Sequence, residues 1–129
     1  MTKASGNDKN GERDLKKRTK NFAIRIIKLI EYLNQHGPVA AKIIAKSQLL
    51  RSGTGVAANY RAACRSKSRK DFISKIGTVV EETDETQLWL ELLVESGLIK
   101  PAFVADLLQE SSELTAIMTA SRNSAIKTV

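Results

Sequence analysis

The residues of this chain that are able to do chemistry are mostly cationic. Arg51, Arg61 and Arg65 fall on one helical stretch, where about 100° per residue places them within an arc of roughly 80°. Lys67, Arg69 and Lys70 carry the positive charge on into the adjoining turn. A guanidinium fork donates two parallel hydrogen bonds to a phosphate and stays charged at any relevant pH. Ala58 and Ala62 share the stripe, so small side chains flank the arginines. This set predicts contact with a nucleic-acid backbone rather than readout of bases. Aromatic residues make up 5% of the chain and Tyr60 is the only one inside the basic segment, so no stacking platform is expected. A competing reading pairs the same arginines with Glu81, Glu82, Asp84 and Glu85, on the next helix or on another subunit.

Other chemistries are poorly supplied. Glu81 and Glu85 share a helix face, but carboxylate metal centres in helical bundles need histidine or further carboxylates on facing helices. Asp106, Glu110 and Glu113 come without a Glu-x-x-His motif, so no metal is expected. His36 is the only histidine, which excludes a His pair for zinc and leaves one candidate base for a triad. Beside Gly37 it reads as a helix C-terminal residue complementing the dipole. Cys64, the single cysteine, excludes a disulfide framework and reads as a small buried hydrophobe rather than a nucleophile. Ser52-Gly53-Thr54-Gly55 lacks the Gly-Lys-Ser/Thr of a phosphate loop and follows no strand. No catalytic residue and no cofactor are implied.

The chain has 129 residues, 21 basic and 14 acidic, and a net charge of +7. Residues 1–20 carry net +4, residues 21–75 net +9 and residues 76–129 net −6. A basic front and an acidic back imply a polyanionic partner, or two halves that meet within or between subunits. The length predicts one domain. No apolar run approaches the roughly 20 residues of a membrane span, and the polar N-terminus lacks a signal-peptide core, so a cytoplasmic, non-membrane protein is expected.

These side chains require helices to position them. Residues 1–14 are almost devoid of apolar side chains and predict a disordered tail; residues 15–122 predict a helical bundle and residues 123–129 a short C-terminal tail. In the first helix Leu15, Phe22 and Leu29 alternate with Thr19, Ile26 and Leu33 as a heptad seam, ended by Gly37-Pro38. A second helical segment over about 39–64 places Ile43, Leu50, Ala57 and Cys64 seven apart. Its Ser-Gly-Thr-Gly stretch predicts a side-chain-poor face for close approach, with a bend or break left open. Ser68-Arg69-Lys70-Asp71 has helix-start spacing. The third helix runs to Ser96 before Gly97, with a core stripe of Phe72, Ile76, Val79, Thr83, Thr86, Leu90 and Val94. Lys100-Pro101 opens a fourth helix, to about Ala120, whose inward face carries Val104, Leu107, Leu108, Ser111, Leu114 and Met118. The result is an all-α, antiparallel up-down four-helix bundle. Leu88, Trp89 and Leu92 fall largely opposite the third helix's stripe, which predicts a neighbouring subunit or another segment of the same chain over them.

The run QLLRSGTGVAANYRAA from Gln48 to Ala63, followed by RSKSRKDFI and EETDETQLWLELLVESGLI, resembles the four-helix-bundle family of 23S rRNA intervening-sequence proteins over roughly Phe22 to Ser121. Many relatives carry Ala-Glu-Gly where this chain has Arg61, Ala62 and Ala63, so no role of that glutamate transfers. The resemblance implies a homo-oligomeric ring, typically a pentamer. It also implies kinship with basic, ring-forming accessory proteins of diversity-generating retroelements, which bind nucleic acid and partner a reverse transcriptase. The expectation is a non-catalytic ring whose Arg51, Arg61, Arg65, Lys67, Arg69 and Lys70 hold RNA or DNA. Leu88, Trp89, Leu92, Glu81 and Glu85 would form the subunit interface. The alternative is an assembly scaffold whose charges serve subunit pairing alone.

Overall fold

A computed structural model describes the backbone of residues 2–128 and side-chain environments from Asn10 onward. The helices are α1 (Thr2–His36), α2 (Val39–Ile44), α3 (Leu50–Cys64), α4 (Arg69–Glu95) and α5 (Ala105–Lys127). A π-helical turn, Ala45–Leu49, fuses α2 to α3, so four rods result. No strand occurs among the described residues. Residues 2–14, expected as a disordered tail, continue α1 as helix, with side chains described from Asn10 onward.

Cross-helix contacts fix the topology. Gly53 of α3 lies against Ile26 of α1, Ser52 of α3 meets Thr86 of α4, and Thr83 of α4 meets Thr115 of α5. Arg18 of α1 reaches Glu110 of α5, while Arg25 of α1 shares a groove with Asp106. As numbers rise along one rod they fall along the next, which defines an antiparallel up-down bundle. Phe22, Ile26 and Leu33 of the α1 seam are fully buried against Leu49, Val56, Ile76, Leu90, Leu114 and Met118. The Ser52–Thr86 and Thr83–Thr115 hydroxyl pairs, each 2.9 Å, join neighbouring helices and satisfy the fully buried hydroxyls of Ser52, Thr83 and Thr86.

The helix ends follow local rules. The Ser68 side chain accepts the Asp71 backbone N–H at 3.1 Å, and the Asp71 carboxylate accepts from the Lys67 backbone N–H and from Lys75. Gly97 takes φ +80° beyond α4, the left-handed geometry that favours glycine. Gly37 does not; α1 ends because Pro38 follows, and glycine suits position 37 because an added Cβ would stand 2.7 Å from the Leu33 carbonyl oxygen. Pro101 opens a short 3-10 turn, Pro101–Phe103, rather than α5 itself. The last helix continues through residues expected as a tail, as far as Lys127. It must run that far to lie beside the start of α4, where Arg69 donates to Thr128.

The second rod departs most from the heptad expectation. Ile43 is 61% and Leu50 39% exposed, and Ala57 and Cys64 are only half-buried. The inward positions are Ala41, Ala45, Leu49, Gly53, Val56, Tyr60 and Ala63. A regular α-helix drifts about 40° per four-residue step, and the π turn absorbs part of that drift, so the run of four-residue steps from Ala41 to Gly53 stays inward. α3 is continuous across the two glycines, and the bare face at Gly53 admits Ile26.

Candidate nucleic-acid interface

The arc of arginines on α3 divides between two neighbours. Arg51 leans toward α4, where it donates to Glu82 at 3.5 Å and to Glu85, and toward Gln48 at 3.3 Å. Glu85 also accepts the Trp89 indole N–H at 3.2 Å. Burial raises the Glu82 carboxyl above its ordinary value, with Arg51 opposing that shift. Arg51, predicted to face nucleic acid, is therefore engaged by acids of its own chain, and Glu85, predicted for a subunit contact, is held in the same cluster. An arc of roughly 80° is wide enough for its two edges to meet different helices.

Arg61 leans the other way. It lines a groove between α3 and α1 together with Arg13, Lys16, Lys17, Lys20 and Asn21. Five cations and one amide line that groove, and no carboxylate does. Lys16 also pairs with Glu12 at 3.3 Å, one turn earlier on α1. Arg65, Lys67, Arg69 and Lys70 are exposed around the adjacent end of the bundle. Among the described residues no carboxylate oxygen lies within 4.0 Å of the charged groups of these four or of Arg61.

The up-down register concentrates charge further. Gly11, Leu15, Tyr60, Cys64, Phe72 and Ser121 surround one depression, so the start of α1, the turn after α3 and the end of α5 share one end of the molecule. Residues 10–20, 59–75 and 118–128, which make up that end, hold 13 basic against 3 acidic residues. Lys16 and Lys75 pair within their own helices, with Glu12 and Asp71, and one cation ties two helices together: Arg18 grips Glu110 through two nitrogens, at 3.0 and 2.7 Å, and Glu113 at 3.2 Å. Those bonds hold its guanidinium more firmly charged than usual.

α1's share of the groove is the part that reading along the sequence misses. Arg13, Lys17 and Lys20 recur at helical spacing, which was a usable signal, but their juxtaposition with Arg61 depends on which neighbour α1 chooses. Leu88 (47%) and Leu92 (42%) are exposed on the outer side of α4 beside exposed Glu81, while Trp89 packs partly onto the core.

Cys64 sits half-buried at the end of α3, and burial pushes its thiol up. The reactive thiolate is therefore scarce at neutral pH. Alkylation of the native protein is expected to be several-fold slower than of the urea-unfolded chain; equal rates would contradict this packing. Among the described residues no three His, Cys, Asp or Glu side chains gather as a metal site, and no helix is long and apolar enough to cross a membrane.

This arrangement, four antiparallel rods with a cationic end, defines a small helical-bundle protein with a strongly basic surface. The profile of the 23S rRNA-intervening sequence protein family matches residues 12–120. The chain belongs to that family. No curated protein matches it. It is similar to a crystal structure from Bacteroides thetaiotaomicron, a protein of unknown function from the S23 ribosomal protein family. The identity is 32% and the TM-score 0.77, over 87% of this chain and 97% of that one.

Proposed function

We propose that this protein is a non-catalytic cytoplasmic accessory factor that holds RNA or DNA by its backbone, without strong sequence preference, as a homo-oligomeric ring. A pentamer is the assembly we favour, working beside a larger nucleic-acid enzyme such as the reverse transcriptase of a diversity-generating retroelement. The observation that carries the reading is the α1–α3 groove, where Arg61 joins four cations of α1 and no carboxylate lines the walls. Gathering like charges destabilises a compact protein through self-repulsion, and a phosphate chain relieves it. The rRNA setting in the family's description supports an RNA partner. The exposed Leu88 and Leu92 support burial against another copy. A ring of such subunits would multiply the +7 of each chain into a strong field.

The test is affinity for mixed-sequence RNA as a function of salt. Each phosphate contact contributes a slope of about −0.7 to −0.9 in log K against log salt, so a steep negative slope is expected. No binding at low salt, or binding with no slope, overturns the reading. A second reading is an assembly scaffold with charges used only for subunit pairing; Arg51 and Arg18 give it a precedent within one protomer, where both are engaged by carboxylates. Changing Arg61 and Arg65 to glutamate separates the two. The first reading expects an intact oligomer that has lost RNA binding, and the second expects dissociated subunits in sedimentation.

A further inference from the structure

At the end of the bundle opposite the cationic one, two surface grooves share Leu29, Tyr32 and Phe103 in their walls. Tyr32 belongs to α1 and Phe103 to the 3-10 turn, and their rings lie 5.2 Å apart with planes tilted by 31°. His36 extends the row one turn along α1, with its ring 4.8 Å from that of Tyr32. The row faces water: Phe103 is 51% and Tyr32 42% exposed. Its backbone is set by the Phe103 N–H donating to the Lys100 carbonyl at 3.1 Å. Arg25 and Lys28 line the same groove, and Asp106 is the one carboxylate there.

We propose that Tyr32, Phe103 and His36 form a stacking platform for bases of single-stranded nucleic acid, with Arg25 and Lys28 holding the adjoining phosphates. Three arguments favour this occupant. Exposed rings beside cations supply the pair of contacts a single strand needs, an outward aromatic surface on which a base stacks and a charge for the adjoining backbone. Stacking tolerates any base, which accords with a protein that does not read sequence. The platform is also continuous with the basic groove. Lys17, Asn21, Ile24 and Lys28 recur every three or four residues as one outward stripe of α1, and Lys20 to Lys28 spans about 12 Å at 1.5 Å per residue. A strand leaving the groove beside Lys20 reaches the rings within a few nucleotides. The inference rests on the nucleic-acid reading above and adds a preference for unpaired over duplex strands.

The experiment compares fluorescence anisotropy of a short labelled mixed-sequence RNA, single-stranded and annealed to its complement. The Tyr32→Leu/Phe103→Leu double variant keeps apolar bulk at these exposed positions and removes the flat rings; circular dichroism confirms its fold. Single-strand affinity is expected to fall roughly tenfold or more, given the known effect of losing a stacked base. The salt slope and the duplex affinity stay as in the wild type, and Tyr32→Phe/Phe103→Tyr binds normally. The platform is overturned if the leucine variant binds single strands normally, if it loses single strand and duplex equally, or if it changes oligomeric state instead. In each of those cases a Lys17→Glu/Arg61→Glu variant that loses RNA leaves the phosphate reading standing. Absence of wild-type binding to either RNA overturns both.

Discussion

Changing Lys17, Lys20 and Arg61 together to glutamate lowers affinity for mixed-sequence RNA about a hundredfold or more near 0.1 M salt, and flattens the salt dependence by about 0.7–0.9 for each phosphate no longer held. These side chains share one groove without a carboxylate among its walls, so each phosphate that binds there in the wild type releases counterions, and in the variant it does not. The fold itself is not weakened, because the substitutions break up a cluster of like charges rather than a set of pairs. The melting temperature of the triple variant is therefore expected to stay at or above that of the wild type. Arg51→Glu is the informative contrast. It faces Glu82 and Glu85, so reversal places three carboxylates together and destabilises the α3–α4 packing, while RNA affinity changes little. Filter binding and thermal melts on the two proteins give opposite patterns. Equal loss of binding in both would mean that the field of the whole molecule acts and the groove does not.

The second large effect lies in the core. Gly53→Ala costs about 1–3 kcal/mol by overpacking, although alanine is intrinsically the better helix former by about 1 kcal/mol. A Cβ at this position would stand 2.7 Å from the Ile26 Cγ2 atom and 3.0 Å from Cγ1. Ile26 is fully buried in the α1 seam and cannot swing aside, so α1 itself must move. Ile26→Ala alone costs about 2–5 kcal/mol through the cavity it leaves. The double variant costs less than the sum, since the methyl group added by Gly53→Ala then occupies part of the space vacated by the isoleucine. Urea unfolding of the wild type, the two single variants and the double variant measures that coupling. A stabilised Gly53→Ala protein, or strict additivity, would show that α1 and α3 do not approach each other this closely.

The sequence and the structure agree where one rod's pattern is enough to decide its inward face. The α1 seam of Phe22, Ile26 and Leu33, the α4 stripe from Ile76 to Leu90 and the Ser68 cap are all legible from spacing, because each depends on residues within two or three turns. Ile43 and Leu50 are not legible in that way. A heptad count assumes one helical pitch, and the π turn at Ala45–Leu49 changes the pitch midway. Within that turn the Ser47 hydroxyl donates to the Ile43 carbonyl at 2.7 Å, a local competitor for the backbone ladder. The arginine row is only half legible, for a different reason. Periodicity gives the azimuth of Arg51 and Arg61 on α3 but not which neighbour stands at each azimuth, and α4 brings acids while α1 brings lysines. The Tyr32–Phe103 pair lies further still from sequence reading: the two rings come from the first rod and the turn before the last, and only the closure of the bundle joins them.

The family places this chain among proteins whose description refers to rRNA, and the similar Bacteroides structure has no function stated. What distinguishes this molecule physically is the end where α1 begins, α3 finishes and α5 terminates, with 13 basic residues against 3 acidic over residues 10–20, 59–75 and 118–128. Amine modification followed by mass spectrometry, with and without RNA at low salt, reports on that surface lysine by lysine. Bound RNA is predicted to shield Lys17 and Lys20, while Lys42 and Lys46, on the second rod near the other end, stay as reactive as before. Unchanged labelling of Lys17 and Lys20 under conditions where the RNA is bound would contradict the account.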